Sequence, residues 1–296
     1  MNVTVERSRH GPFERIVLSY PLPATLEGHP SVAALSVYRV GDILIDTGST
    51  RTADALVRAL ADTPPQRVVL THQHEDHAGG VNAVKRAFGD LPVHCPRSLV
   101  DIVRAGAPVP PHRELFWGHP EPVEDLLAYD PGHTFETWQF PLHTLATPGH
   151  SPGHVALYTT WGDHVYACTG DLFFSRRMVP AWFESAADDM ARSQRAVADL
   201  GPRVVMLPTH GRVRDEGGAF LRTNADAIDH AADAVRDTAA QIGRSDLAAV
   251  TRAHFEQEDV TGALTGGEIS LAAFTRSVLE PVRALPATSL AHLFAG

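Results

Sequence analysis

The stretch Thr71-His72-Gln73-His74-Glu75-Asp76-His77-Ala78-Gly79-Gly80 decides the reading of this chain. It follows directly on Arg67-Val68-Val69-Leu70, a short apolar run with the character of a buried strand, with the breaker pair Pro64-Pro65 just upstream. His72 and His74 stand two apart, and in an extended chain that spacing puts both imidazoles on one side. Asp76 and His77 fall at the turn where Gly79-Gly80 and the next amphipathic segment, residues 81–88, begin. Three imidazoles and a carboxylate therefore converge at a strand end, a donor set that borderline-soft ions such as Zn2+ select. A lone histidine there would be an ordinary structural residue, but four such groups in this order call for a metal.

Working outward, three more segments place a possible ligand just past a strand-like run. Thr147-Pro148-Gly149-His150 follows residues 137–146, and the Pro-Gly turn can present His150 at its end. Gly170-Asp171 follows the run around 165–169, and Pro208-Thr209-His210-Gly211 follows Arg203-Val204-Val205-Met206-Leu207. Upstream, Asp42-Ile43-Leu44-Ile45-Asp46 is an apolar run stopped by Thr47-Gly48. Each is weak singly, and their shared placement is what gives the set its weight.

The rest of the first two-thirds alternates strand and helix patterns. Residues 16–19, 34–40, 92–95, 155–160 and 164–168 read as strands, and 52–61 and 81–88 as helices. Between Ala105 and Pro131 the pattern dissolves under five prolines, leaving at most a short helix near 123–128 in a segment that is either a surface loop or a lid. Ser185 is placed to cap a helix reaching about Leu200. From residue 216 helix formers dominate: Leu221, Ala225, Ile228, Ala232, Val235, Ala239 and Ile242 make one stripe at steps of four and three. Ser245 is placed to cap a second helix with Leu247, Val250 and Phe255. A third near 271–285 carries Phe274 and Val278 and ends around Pro281, and a short one holds Leu290, Leu293 and Phe294. The expected organisation is a catalytic domain over 1–215 and a C-terminal helical extension over 216–296.

Composition narrows the classes. With 296 residues, 44% hydrophobic and 20% charged, the chain has material for a sizeable core. A formal net charge of −10 without a Lys/Arg cluster argues against nucleic acid as partner. No run of about 18 apolar residues suggests a membrane span. Two cysteines and a polar N-terminus without a signal-peptide pattern lead to the expectation of a cytoplasmic location. The 17 histidines are the unusual feature.

The series Asp46-Thr47-Gly48, His72-Gln73-His74-Glu75-Asp76-His77, His150, Asp171 and His210, in its order and spacing over about residues 16–212, resembles the metallo-β-lactamase fold hydrolases, closest to the glyoxalase II, lactonase and thioesterase branch. The resemblance implies an α/β four-layer αββα sandwich with its metals at one edge. It implies one divalent cation on His72, His74 and His150, a second on Asp76, His77 and His210, and Asp171 bridging them. Zn2+ is the first choice, with Fe or Mn as alternatives. Asp46 would hold a ligand imidazole in its productive tautomer, and Asp76 would also orient the attacking hydroxide. Two departures stand out. Thr209 replaces the usual first glycine of the last motif, with little consequence expected, and Asp171 stands where one major class of true β-lactamases carries a cysteine, so antibiotic hydrolysis is not expected. His154 is expected to organise its turn by hydrogen bonding. Phe173, Phe174, Trp182 and Phe183 are candidates for an apolar pocket wall, and Arg176 and Arg177 for contacts to an acidic substrate group.

The activity implied is hydrolysis of a small ester, thioester or lactone. The expected partner is a small-molecule substrate, with neither nucleic acid nor membrane, and the helical tail is compatible with a homodimer. Two alternatives stay open: an iron-dependent persulfide dioxygenase-like oxidoreductase of the same fold, and a non-catalytic metal-binding sensor.

Overall fold

The computed structural model describes residues 2–21, 34–106, 109–173, 184–243, 246–256 and 259–284. Its apolar runs build two sheets. The seven-stranded sheet has the order β1 (Thr4–His10), β2 (Phe13–Ser19), β3 (Ala34–Val40), β4 (Ile43–Ile45), β5 (Arg67–Val69), β6 (Val93–Pro96), β7 (Leu126–Tyr129). Its first four strands pair antiparallel, and β4 to β7 run parallel. The five-stranded sheet contains β8 (Thr134–Glu136), β9 (Pro141–Ala146), β10 (Val155–Trp161), β11 (His164–Gly170) and β12 (Val204–Pro208), in the spatial order β12-β11-β10-β9-β8. Only β11 and β12 are parallel there.

The central strands are apolar on consecutive residues because each face of each sheet is covered. Ile43, Ile45 and Val69 of the first sheet meet Leu157, Val205 and Leu207 of the second in the core between them. Their neighbours Leu44 and Val68 point the other way, against Leu56 and Leu60 of α1 (Ala53–Leu60) and Val81 and Val84 of α3 (Val81–Phe88). The short α2 (Glu75–Ala78) lies between these two helices in sequence. On the far side, Val204 and Met206 face Met190 and Val197 of α6 (Ala187–Ala198) and Leu221, Ala225 and Ile228 of α7 (Gly217–Ile242). Helices, sheet, sheet and helices stack as the four-layer αββα sandwich expected.

The stripe read from residue 216 onward is core as far as Val235; Ala239 is only partly buried and Ile242 is exposed. Leu221, Ala225, Ile228, Ala232 and Val235 of α7 belong to the same apolar cluster as the outer face of β11 and β12, joined by Val250, Phe274 and Val278. These last come from α8 (Leu247–His254) and α10 (Leu271–Leu279); α9 (Val260–Leu264) sits between. The change in composition at residue 216 thus coincides with the outer layer of the second sheet.

Several expectations need correction. β1 carries no apolar alternation and is almost wholly exposed; its register with β2, from Thr4↔Ser19 to His10↔Phe13, is what makes it a strand. α4 (Val100–Ala105) runs up to the proline-rich stretch, which itself holds α5 (Pro111–Trp117), because Pro111 sits in the first turn, where its missing N–H costs nothing. The helix expected near 123–128 is instead strand β7, paired parallel with β6. Asp246 caps α8 through Ala249 N–H at 2.6 Å; Ser245 and the expected helix near 290–294 lie outside the described residues. Ser185 does not cap α6, whose N-cap is Ala186. Both cysteines are free and buried. Among the described residues no helix is long and apolar enough to cross a membrane.

Candidate metal centre

The chain leaves β5 into Thr71-His72 and is gripped there by the loop after β4. Asp46, in the left-handed region at φ 59°, accepts from Thr71 N–H and Thr71 Oγ1, both at 2.8 Å, and from His77 Nδ1 at 2.7 Å. Thr47 donates its backbone N–H (2.7 Å) and its hydroxyl (2.8 Å) to the His77 carbonyl. The second glycine of the motif is dictated by this embrace: a Cβ on Gly80 would lie 2.2 Å from the Thr47 carbonyl oxygen. Gly149 plays the matching part in the turn after β9. It sits at φ +137°, and a Cβ there would lie 2.3 Å from Met190 N, so only glycine lets the turn carrying His150 pack on α6.

The structure brings together every ligand candidate read from the sequence. His72, His74, His150 and Asp171 form one group and Asp76, His77, Asp171 and His210 another; within each, the possible ligand atoms lie within 4.8 Å of one another, and all the residues are buried. His150 Nε2 is 3.0 Å from His74 Nδ1 and 3.5 Å from Asp171 Oδ2. His77 Nε2 is 3.3 Å from Asp171 Oδ1, and His210 Nε2 is 3.0 Å from Asp76 Oδ2. Asp171 belongs to both groups. Thr209 is accommodated as expected: its carbonyl accepts from Ser36 N–H, its N–H donates to Gly170 O, and His210 Nδ1 faces the Ala34 carbonyl at 3.2 Å.

The electrostatics suit a cation. Burial holds His72 and His150 well below the ordinary imidazole range, reinforced by the neighbouring imidazoles His77 and His74 respectively, so both offer neutral lone pairs. In the other group burial works against the charged form of His77 and His210, but Asp171 and the other carboxylates raise both. Burial alone would raise Asp76; His77 and His210 bring it down to about 2, an ionised carboxylate at neutral pH. His72 Nε2, His77 Nε2 and Asp171 Oδ1 are buried without a hydrogen-bond partner. Buried polar atoms are normally satisfied; His77 Nε2 and Asp171 Oδ1 face each other at 3.3 Å, and a divalent ion held by the two groups would satisfy all three.

His154 behaves as expected. Its Nδ1 meets Thr147 Oγ1 at 2.8 Å, and Nε2 accepts the Asp171 N–H at 3.2 Å. Burial pushes this imidazole down to about 3, which keeps it neutral and able to accept.

Other side chains around the centre had no legible signal. Glu184 is buried with an oxygen on His74 Nε2 and accepts from Gln73 Nε2 at 3.0 Å. Arg113 of α5 donates to both oxygens of Glu75 and, at 3.0 Å, to Glu268, while His112 pairs with Glu268. The Trp117 ring is 5.9 Å from that of His210. Arg113 and Trp117 of α5 are therefore packed inward beside the centre, while Leu115 between them is exposed. Phe173 is no pocket wall: it is core, edge-on to Phe220 at 4.7 Å. Phe174, Arg176, Arg177, Trp182 and Phe183 fall outside the described residues.

The chain is thus a sandwich of two sheets with clusters of histidine and aspartate, able to hold metal ions, gathered at its strand ends, and comparison with known proteins gives its family. The model of the metallo-beta-lactamase superfamily matches residues 36–210, more than half of the chain, and the chain belongs to that superfamily. It is 35% identical over 136 residues to a protein of Bacillus subtilis (strain 168) named "Probable metallo-hydrolase YybB", covering 45% of this chain and 58% of that one. It is 29% identical over 168 residues to a hydroxyacylglutathione hydrolase of Serratia proteamaculans (strain 568), covering 57% and 56%. The matched stretch thus spans little more than half the length of these curated relatives. Among solved structures, a beta-lactamase domain protein from Burkholderia ambifaria aligns with a TM-score of 0.62 at 16% identity, covering 90% of this chain and 85% of that one. The Rm3 metallo-beta-lactamase aligns at 0.53 with 20% identity, covering 67% and 87%. At such identities the likeness is one of fold.

Proposed function

We propose that this protein is a hydrolase that holds two divalent cations, Zn2+ by preference, and cleaves a small ester, thioester or lactone. The observation that carries the proposal is the pair of buried ligand groups sharing Asp171, with unsatisfied atoms directed into them. On this reading His72, His74 and His150 hold one cation, Asp76, His77 and His210 the other, and Asp171 spans both. Bound there, the cations supply a water acidified toward a pKa of about 7 and a charge that polarises the scissile carbonyl. Asp76, ionised at neutral pH, accepts and orients an O–H of the attacking water. Asp46 keeps the proton of His77 on Nδ1 and so favours an Nε2 whose lone pair is free to bind a cation.

The thioester preference draws on the hydroxyacylglutathione hydrolases among the relatives. The assembled second group weighs against a single-iron dioxygenase, which needs two histidines and one carboxylate. Completeness of both groups weighs against a non-catalytic sensor. We also propose a small-molecule partner rather than nucleic acid, in keeping with the net charge of −10.

The test is a panel of thioesters, lactones and phosphodiesters assayed on metal-analysed protein, with oxygen uptake followed in parallel. Expected are hydrolysis of a thioester or lactone that chelation abolishes, and a His74→Ala variant that loses metal and nearly all turnover. Iron with oxygen consumption, or wild-type turnover by His74→Ala, would overturn the proposal.

A further inference from the structure

Two carboxylates lie behind the metal-facing imidazoles, and the family motif accounts for one of them, Asp46. The other is Glu184, which stands 110 residues from His74 in the chain yet meets its Nε2 in the interior. We infer that Glu184 is the positioning residue of the first metal group, fixing the tautomer and orientation of His74 as Asp46 fixes those of His77. The inference rests on the two-cation reading above.

The geometry supports it from both sides. His74 has one ring nitrogen on Glu184 and the other, Nδ1, 3.0 Å from His150 Nε2. A carboxylate can only accept, so His74 Nε2 carries the proton and Nδ1 is left as the lone-pair donor. Glu184 is itself held in place. Ser151, next to the ligand candidate His150, donates its hydroxyl to Gln73 Oε1 at 2.8 Å, which turns the Gln73 amide so that Nε2 donates to Glu184 at 3.0 Å. The backbone around it is fastened to the same turn: Ala186 N–H donates to Gly149 O at 2.8 Å, and Ser185 Oγ to His150 O at 3.5 Å. Glu184, Gln73, Ser151 and His74 are all buried. A chain of hydrogen bonds thus ties Gln73 and His74 to the His150 turn, and an ionised carboxylate with no such task would be costly at this depth.

The two carboxylates serve different groups, which makes the inference testable by combination. Zn2+ is titrated into chelator-stripped protein against a competing chromophoric chelator, with circular dichroism and apo melting confirming that each variant is folded. The wild type is expected to hold two tight equivalents. Glu184→Ala is expected to weaken one of them by about 10–100-fold and Glu184→Gln by less, since the amide oxygen can still accept from His74. Asp46→Asn weakens one equivalent as well, and Glu184→Ala combined with Asp46→Asn is expected to weaken both. A Glu184→Ala protein that is folded and keeps two tight equivalents overturns the role of Glu184 alone. A double variant that keeps one tight equivalent shows both carboxylates acting on the same cation and also overturns it. A wild type that never binds a second equivalent overturns the two-cation reading itself.

Discussion

Replacing Asp46 by Asn tests the logic of the centre with the least disturbance to the fold. Asn is among the few residues other than glycine that tolerate the left-handed backbone at φ 59°, so the turn after β4 is kept. Asp46 accepts three hydrogen bonds, from Thr71 N–H, Thr71 Oγ1 and His77 Nδ1. The Asn oxygen stays on Thr71 N–H, because a backbone donor cannot rotate away. The amide NH2 then faces the Thr71 hydroxyl, which can turn to accept, and His77 Nδ1, which can accept only by giving up its proton. Without the carboxylate that holds a proton on Nδ1, the neutral ring keeps its proton on His77 Nε2 instead, the nitrogen 3.3 Å from Asp171 Oδ1, so the lone pair a cation needs is no longer the favoured one. Losing such an outer carboxylate typically costs 10–100-fold in affinity, or about 1.4–2.8 kcal/mol. All three hydrogen bonds lose the carboxylate charge, which lowers apo stability by about 1–3 kcal/mol. Chelator-competition titration of Zn2+, with melting of the stripped protein alongside, measures both. An Asp46→Asn protein that binds its second cation with wild-type affinity would refute the reasoning.

Gly149→Ala adds a Cβ 2.3 Å from Met190 N at a φ of +137°, and strain and overpacking of about 1–3 kcal/mol each should lower the melting temperature clearly; an unchanged melt contradicts the packing described. Leu221→Ala hollows the core shared by α7 and the second sheet, with an expected loss of about 2–5 kcal/mol in denaturant unfolding, whereas a loss under 1 kcal/mol would mean that α7 packs only loosely. Glu268 offers a pH test. Burial pushes its carboxyl up, but Arg113 and His112 outweigh it, so the folded value lies below the ordinary 4.5. A depressed folded value means a stabilising contribution that is complete above 4.5 and is lost as pH falls through the folded value. Unfolding followed from pH 6 to 3 should therefore be less pH-dependent in Glu268→Gln; identical slopes would remove the ion pair from the account. Chelation should lower the melting temperature, because a ligand at 100 times its Kd adds about 2.7 kcal/mol, and a melt indifferent to Zn2+ would speak against binding by the folded state.

The proposed ligands were legible because four of them sit just past the end of a strand-like run, and His74, Asp76 and His77 follow the first of these within five residues. His72, His150, Asp171 and His210 share that placement, and two-sided burial of β4, β5 and β12 makes those runs conspicuous. Local patterns were misleading where pairing or caps decide. β1 has no alternation to read, and β7 is a strand because β6 offers it a parallel edge. Prolines 110 and 111 look like breakers, yet they open α5.

The one-dimensional order of residues determined the family-like spacing of histidines and aspartates, the two-faced strands and the stripe of α7, all set by near neighbours and hydrophobic period. Only the tertiary structure decided that Glu184 reaches His74, that Arg113 joins Glu75 to a Glu268 lying 155 residues beyond Arg113, and that α7 closes the second sheet. A buried charge is placed by whichever partner the folded chain brings to it, and no local pattern names a partner that far away.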